Sequence, residues 1–116
     1  MGVKFDEAGK CLVVAITGEI DHHYAAELKE KIDRKYLRSG RKNIVIDFGG
    51  VTFMDSSGIG MVIGRYKTVS AHGGRLYAVG LSPAVKRIFD VSGLKKIIEC
   101  YEKTEEICKG VERKNA

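Results

Sequence analysis

The chain has 116 residues, of which 44% are hydrophobic and 30% are charged, and its formal net charge is +5. This length fits one domain, because two cores would leave each half too short to stabilise itself. The apolar fraction excludes global disorder. No apolar run approaches the roughly 18 residues of a membrane-spanning helix, and the charged start is unlike a secretory signal. We therefore expect one domain, residues 1–116, in the cytoplasm and away from the membrane.

The positive charge is concentrated in one stretch. Between Lys29 and Lys42, seven basic residues stand against two acidic ones, which accounts for the whole net charge of +5. Such a stretch could bind the phosphates of a nucleic acid. It is also typical of a solvated helix face whose basic residues stabilise the carboxyl end of the helix. We expect the second role and no direct binding of nucleic acid.

The cysteines and histidines do not follow a metal-binding pattern. Cys11, Cys100 and Cys108 form no CxxC pair, so they predict neither a disulfide frame nor a zinc site. The three histidines lack the i, i+4 spacing of helical metal ligands. We expect no metal and no cofactor, and a small buried hydrophobe at Cys11.

The first 40 residues predict two strands and a helix. Residues 10–17 form an apolar, β-branched run that indicates a buried strand, paired with an earlier strand near residues 3–6. A helix over residues 22–39 follows, with Asp21 as its N-cap and Gly40 as its terminator. Its buried stripe consists of Ala25, Leu28, Ile32 and Tyr36.

A third strand and a second helix come next. The strand covers residues 43–48, and we expect the Gly49-Gly50 pair to break it before a short extended piece at residues 51–54. Helical spacing returns from Asp55, and His72-Gly73-Gly74 ends the second helix. The predicted buried stripe of this helix consists of Ile59, Val62, Ile63, Tyr66 and Val69.

The remaining elements alternate in the same way. Residues 75–79 form a strand, and Ser82 then caps a short helix that has Pro83 at its first position and ends before Gly93. A last strand at residues 96–99 is followed by a terminal helix over 104–111 and a basic tail. The pattern predicts an α/β domain with a mixed, mostly parallel sheet of about 4–5 strands. About four helices should pack mainly on one face of that sheet.

The segment from Phe53 to Arg65 is the densest local signal. Asp55, Ser56 and Ser57 are helix-capping residues and place a helix N-terminus there. Gly58, Gly60 and Gly64 follow within the first turns, although a glycine in a helix costs roughly 0.5–1 kcal/mol against alanine. Gly60 and Gly64 share one side of the helix, where another backbone can approach. That backbone could belong to the sheet of this domain or to a second protein.

Catalytic motifs do not account for this segment. A nucleophile elbow needs glycine two residues before the serine, and Met54 and Asp55 stand there instead. A phosphate-binding P-loop would end in a glycine followed by Lys-Ser or Lys-Thr, and no such sequence is present. We therefore expect no catalytic residues and no enzymatic activity.

Three motifs carry a family resemblance. They are the strings Thr17-Gly-Glu-Ile-Asp-His-His23, Phe53-Met-Asp-Ser-Ser-Gly-Ile-Gly60, and Ser82-Pro-Ala-Val-Lys-Arg-Ile-Phe-Asp-Val-Ser-Gly-Leu94. In this order and spacing they resemble the STAS-domain anti-sigma factor antagonists, and most closely those that regulate sporulation transcription. The resemblance covers nearly the whole chain. It implies a mixed sheet with helices largely on one face, as periodicity predicts independently.

The resemblance also implies a partner-switching function. Family members bind a dimeric anti-sigma factor that is also a serine kinase, and the unphosphorylated form releases the sigma factor. Phosphorylation of the serine after the aspartate, Ser56 here, switches the antagonist off until a serine phosphatase restores it. By the same resemblance the partner-binding residues are Asp21, Asp55, Ser56, Ser57, Gly58, Gly60 and Gly64.

Three alternatives remain open at this point. The chain could be a STAS scaffold or sensor subunit of a stress-signalling assembly. It could be a small nucleotide-binding domain that uses the helix N-terminus as an anion site. It could also bind nucleic acid through the basic stretch. From residue chemistry alone, Ser57 is as good a phosphorylation site as Ser56.

Overall fold

The computed structural model describes residues 2–107, which form five strands, three long α-helices, one 3₁₀ turn and a short helical segment at residues 104–107. The elements in chain order are β1 (Gly2–Ala8), β2 (Cys11–Ile20), α1 (His22–Ser39), β3 (Asn43–Met54), α2 (Ser56–Ala71), β4 (Leu76–Val79), α3 (Pro83–Ser92), the 3₁₀ turn (Leu94–Lys96) and β5 (Glu99–Tyr101). The strands follow one another across the sheet in sequence order. Among the strands described, the β1–β2 pair is antiparallel and the other three pairs are parallel. The predicted α/β architecture with a mixed, mostly parallel sheet is confirmed.

The three helices cover one face of the sheet. Leu28 of α1, Val62 of α2 and Phe89 of α3 belong to one buried cluster, together with Ile44 and Ile46 of β3. A smaller cluster lies on the other face of the sheet, where Ile107 packs with Cys11, Val45, Tyr77 and Val79. Cys11 is 1% exposed, as expected for a small buried hydrophobe. Among the helices described, none is both long and apolar enough to cross a membrane.

The predicted helix ends agree with the structure. Gly40 and Gly93 follow α1 and α3 with φ of 69° and 82°, in the left-handed region that favours glycine. Ser82 caps α3 by accepting a 3.2 Å hydrogen bond from the Val85 N–H, and Pro83 occupies the first helical position. The predicted terminal helix is helical over residues 104–107. Its remainder and the tail lie outside the described residues.

The predicted break at Gly49-Gly50 is wrong, because β3 continues without interruption to Met54. The glycines lie where the pairing with β2 shifts register, and the Gly49 N–H bonds the Asp47 carboxylate at 2.8 Å. A Cβ on Gly50 would lie 2.6 Å from Thr17 Cγ2. The glycines therefore allow a bulge and a close approach between β2 and β3. Glycine in a strand often has this role and need not end the strand.

The last strand also lies elsewhere than predicted. It begins at Glu99, because residues 94–96 form a 3₁₀ turn that closes against Gly93. The two isoleucines that the sequence pattern assigns to that strand differ in burial. Ile98 is 2% exposed just before β5, whereas Ile97 is 41% exposed.

The buried face of α2 is rotated from the predicted stripe. Met61 and Arg65 are buried with Val62 and Val69, whereas the predicted Ile59, Ile63 and Tyr66 are only half-buried. Arg65 is 4% exposed, and its Nε lies 2.8 Å from Oδ1 of Asp33 on α1. The two atoms lack hydrogen-bond geometry, so the contact is an ion pair. It joins the two helices inside their interface.

Candidate functional site

Two aspartates lie side by side at the carboxyl edge of the sheet. Strands β2 and β3 are parallel neighbours whose last residues, Ile20 and Met54, are paired. Asp21 and Asp55 follow these residues directly. Asp21 caps α1 by accepting from the Tyr24 N–H at 2.8 Å. The predicted cap at Asp21 is confirmed, and α1 and α2 begin next to one another.

Asp55 is the N-cap of α2. Its carboxylate accepts hydrogen bonds from the N–H groups of Ser57 and Gly58 at 2.8 and 3.2 Å. These are donors that an anion at the helix N-terminus would otherwise use. The carboxylate of the chain itself therefore fills the position that the nucleotide-binding alternative requires. Ser56 is the first helical residue and does not act as a cap.

The two serines differ in their surroundings. Ser56 is exposed, and within residues 2–107 its hydroxyl has no hydrogen-bond partner. Ser57 is half-buried, and its Oγ lies 3.3 Å from Nδ1 of His22 at the start of α1. The side chain of Ser57 thus bridges two helix N-termini, and that of Ser56 points freely into solvent. The structure therefore distinguishes the hydroxyl of Ser56 from that of Ser57, which residue type alone does not.

The three glycines of α2 have two different environments. A Cβ on Gly58 would lie 2.7 Å from Met54 Cβ and 3.2 Å from Ile20 Cγ2. Gly58 therefore lets α2 begin close to its own sheet, and any contact it makes with a partner stays a prediction. At Gly60 and Gly64, such a Cβ would have no described atom within 4 Å apart from the adjacent backbone of the helix itself. A close contact with the sheet of this domain therefore does not explain Gly60 and Gly64. The other explanation, that a second protein approaches them, remains.

We expect alanine substitutions to separate these environments. Gly58→Ala should lower the free energy of unfolding by about 1–3 kcal/mol, because the methyl overpacks the contact with the sheet. Gly60→Ala, its matched control, should raise that energy by about 0.5–1 kcal/mol, because it removes only the entropic cost of glycine. Urea unfolding of both variants measures the difference. Equal effects of the two substitutions would contradict this assignment of the glycines.

Gly60 and Gly64 line an open groove between α1 and α2. The groove also includes His22, Ser57 and Lys29. Because the two glycines have no side chains, the surface of α2 beside Ser57 is recessed. A partner backbone can therefore come close to the helix along this line.

An apolar cleft of about 690 Å³ lies on the other side of Ser56, between α2 and α3. Its walls include Phe53 and Val91, which are 47% and 84% exposed, and the cationic side chain of Arg87. Exposed apolar surface of this kind marks interaction sites. Sequence reasoning missed these residues. Strand periodicity could have indicated that Phe53 is exposed. Neighbouring side chains in a strand point to opposite faces of the sheet, and Met54, the neighbour of Phe53, is buried.

The other candidate sites receive less support from the structure. Within the part of the chain described, no three His, Cys, Asp or Glu side chains converge as metal ligands would. In the basic stretch, Lys31 pairs with Glu27, Arg34 with Glu30, and Arg41 with Glu7. These pairs partly neutralise the positive charge of the stretch and interrupt it, unlike a continuous nucleic-acid surface.

The fold and the motif residues define the protein class. Residues 3–107 match the STAS domain family, and the chain belongs to that family. It is 37% identical over 91 residues to the anti-sigma F factor antagonist of Paenibacillus polymyxa, with 78% of each chain covered. It is 32% identical over 92 residues to the anti-sigma-B factor antagonist of Staphylococcus aureus, covering 79% of this chain and 84% of the relative.

A solved structure extends the likeness to three dimensions. The Bacillus cell fate determinant SpoIIAA in its phosphorylated form superposes with a TM-score of 0.73 at 29% identity, over 95% of this chain and 99% of that one. The family resemblance carried by the three sequence motifs is confirmed.

Proposed function

We propose that the protein is an anti-sigma factor antagonist that works by partner switching, with Ser56 as its phosphorylation site. In its unphosphorylated form it binds a dimeric anti-sigma factor kinase and releases the sigma factor. The observation that carries the proposal is the position of Ser56. It is exposed at the first turn of α2, and its hydroxyl has no hydrogen-bond partner among the described residues. The relatives of the chain are named as anti-sigma factor antagonists.

The proposed docking surface surrounds Ser56. The open groove at Gly60 and Gly64 lies on one side of it, and the apolar cleft at Phe53 and Val91 lies on the other. A partner seated across both would bring its kinase site over the serine hydroxyl. Apolar burial in the cleft would supply affinity, and the low glycine surface would allow close approach.

Phosphorylation would switch binding off at the interface. A phosphoryl group adds a charge of about −1.5 to −2 at neutral pH, next to the Asp55 carboxylate. Negative charge at a helix N-terminus stabilises the helix, so unfolding is not the expected mechanism. Desolvation of that charge on docking would cost several kcal/mol. A serine phosphatase would restore the active form.

A role in sporulation transcription is the favoured form of the proposal. Identity to the sigma-F relative is 37%, against 32% for the sigma-B relative. A stress-signalling role is the second candidate, supported by the latter. Both partner systems would act in the cytoplasm, and neither requires enzymatic activity of this chain.

Sigma-factor release tests the proposal. Complexes of a sigma-F or a sigma-B factor with its anti-sigma kinase would be mixed with the protein and separated by size-exclusion chromatography. The proposal expects the protein to replace the sigma factor in the sigma-F complex. Release from the sigma-B complex alone would favour the stress-signalling role, and release from neither would contradict the function.

Asp21 is proposed to contact a basic group of the kinase in addition to capping α1. Asp21→Asn separates the two roles, because asparagine caps a helix about as well as aspartate but carries no charge. We expect an unchanged melting temperature and a dissociation constant raised about threefold to tenfold. Isothermal titration calorimetry measures the binding. An unchanged dissociation constant would leave the cap as the only role.

A further inference from the structure

A basic cleft of about 510 Å³ lies far from Ser56. It is formed by the turn between β1 and β2, the end of α1 and the end of α2, and its walls include Lys10, Arg41, Lys42 and His72. Lys42 precedes the twelve-residue strand β3, and Ser56 follows that strand. At about 3.3 Å per residue that strand is roughly 36 Å long, so the cleft and Ser56 lie at its opposite ends. The cleft is therefore separate from the proposed docking surface.

The charge of the cleft is only partly compensated. Among residues 2–107, none of those that line the cleft is acidic. Arg41 donates to the Gly9 carbonyl at 2.7 Å and pairs with Glu7 at 2.9 Å, but its buried Nε has no hydrogen-bond partner in the described structure. Lys10 and Lys42 form no ion pair within residues 2–107. Two lysines that form no ion pair within the described residues, and an arginine whose charge is shared with Glu7, thus line one concave site.

Stabilisation of the helix ends does not account for these cations. The carbonyls at the end of α2 already have donors, since Gly73 N–H bonds Ser70 O at 3.1 Å and His72 Nδ1 bonds Thr68 O at 2.8 Å. Each helix C-terminus carries about half a negative charge. Two termini and Glu7 together offset about two of the three Lys and Arg charges. About one positive charge remains.

We propose that this cleft binds a small molecule that carries phosphate groups. Phosphate chemistry fits because Lys10, Arg41 and Lys42 are cationic donors, and two lysines beside an arginine suit a multiply charged oxyanion. The volume lies within the range of small-molecule pockets. The inference does not depend on the proposed partner switching.

Pyrophosphate is the probe that tests this site. The full chain would be titrated with sodium pyrophosphate at constant ionic strength and followed by ¹H–¹⁵N NMR. We expect saturable shifts confined to the amides of residues 9–10, 40–43 and 72–74. Lys42→Gln and, independently, Lys10→Gln should each weaken binding at least about fivefold. Lys67→Gln, which removes an exposed lysine of α2 outside the cleft, should leave the affinity unchanged.

Three results would overturn the proposal. One is a set of non-saturating shifts spread over exposed lysines throughout the domain. Another is an equal loss of affinity in Lys42→Gln and Lys67→Gln, which would reduce the binding to net charge. The third is tighter binding of a short DNA duplex through the same residues, which would assign the surface to nucleic acid instead of a small molecule.

Discussion

Ser56→Glu is expected to weaken binding to the anti-sigma kinase at least about 30-fold, which corresponds to about 2 kcal/mol. The substitution places a carboxylate beside Asp55, in the middle of the proposed docking surface, which would lose its water on binding. The cost arises from desolvating two neighbouring like charges, and the first turn of α2 accommodates glutamate well. Isothermal titration calorimetry with the kinase measures the loss, and a thermal melt should show a folded variant of wild-type stability.

Two control variants make this result specific. Ser56→Ala should bind like the wild-type chain and keep its stability, because Asp55, and not Ser56, caps the helix. Ser70→Glu adds the same charge at an exposed position near the other end of α2, and it should leave binding unchanged. If Ser56→Glu binds as tightly as Ser56→Ala, charge at this position is not the switch.

Asp33→Ala is expected to have the largest effect on stability, a loss of about 2–4 kcal/mol in the free energy of unfolding. The substitution removes the carboxylate that faces the buried Arg65 guanidinium across the α1–α2 interface. Burial already lowers the pKa of Arg65, and Asp33 opposes that shift by favouring the charged form. Without Asp33 the interface would hold an uncompensated cation. Urea unfolding monitored by circular dichroism measures the change.

The matched control is an exposed ion pair on the same helix. Glu30→Ala breaks the 2.8 Å contact with Arg34, in which both side chains are more than half exposed, and it should cost no more than about 0.5 kcal/mol. Arg65→Met should cost less than Asp33→Ala, because Asp33 is 31% exposed and can turn to water. Similar losses for Asp33→Ala and Glu30→Ala would show that the buried pair contributes little.

Much of the fold could be predicted from the sequence because local signals agree with the packing. The helix at 22–39 has an aspartate cap, a four-residue buried stripe and a left-handed glycine at its end, and each of these features is present. The alternation of strands and helices fixes a mostly parallel sheet, since parallel strands need crossover connections. The position of Asp21 and Asp55 at one edge follows from that topology.

The features that escaped prediction depend on contacts between distant segments. Gly49-Gly50 resembles a strand break, and only its pairing with Thr17 reveals a bulge. Arg65 has the residue type of a surface position, and its burial requires the partner on α1. The difference between Ser56 and Ser57 rests on His22, which lies 35 positions from Ser57 in the chain. Periodicity and spacing carry no information about such pairs.

Phosphopeptide mapping after incubation with an anti-sigma factor kinase and ATP tests the central claim most directly. Intact mass gives the number of phosphoryl groups transferred, and fragmentation of the peptide that spans α2 gives their position. We expect one phosphoryl group, on Ser56, and none on the Ser56→Ala variant, because the Ser57 hydroxyl is half-buried beside His22. Phosphate on Ser57 with Ser56 unmodified, or no transfer from any kinase that binds the protein, would contradict Ser56 as the switch.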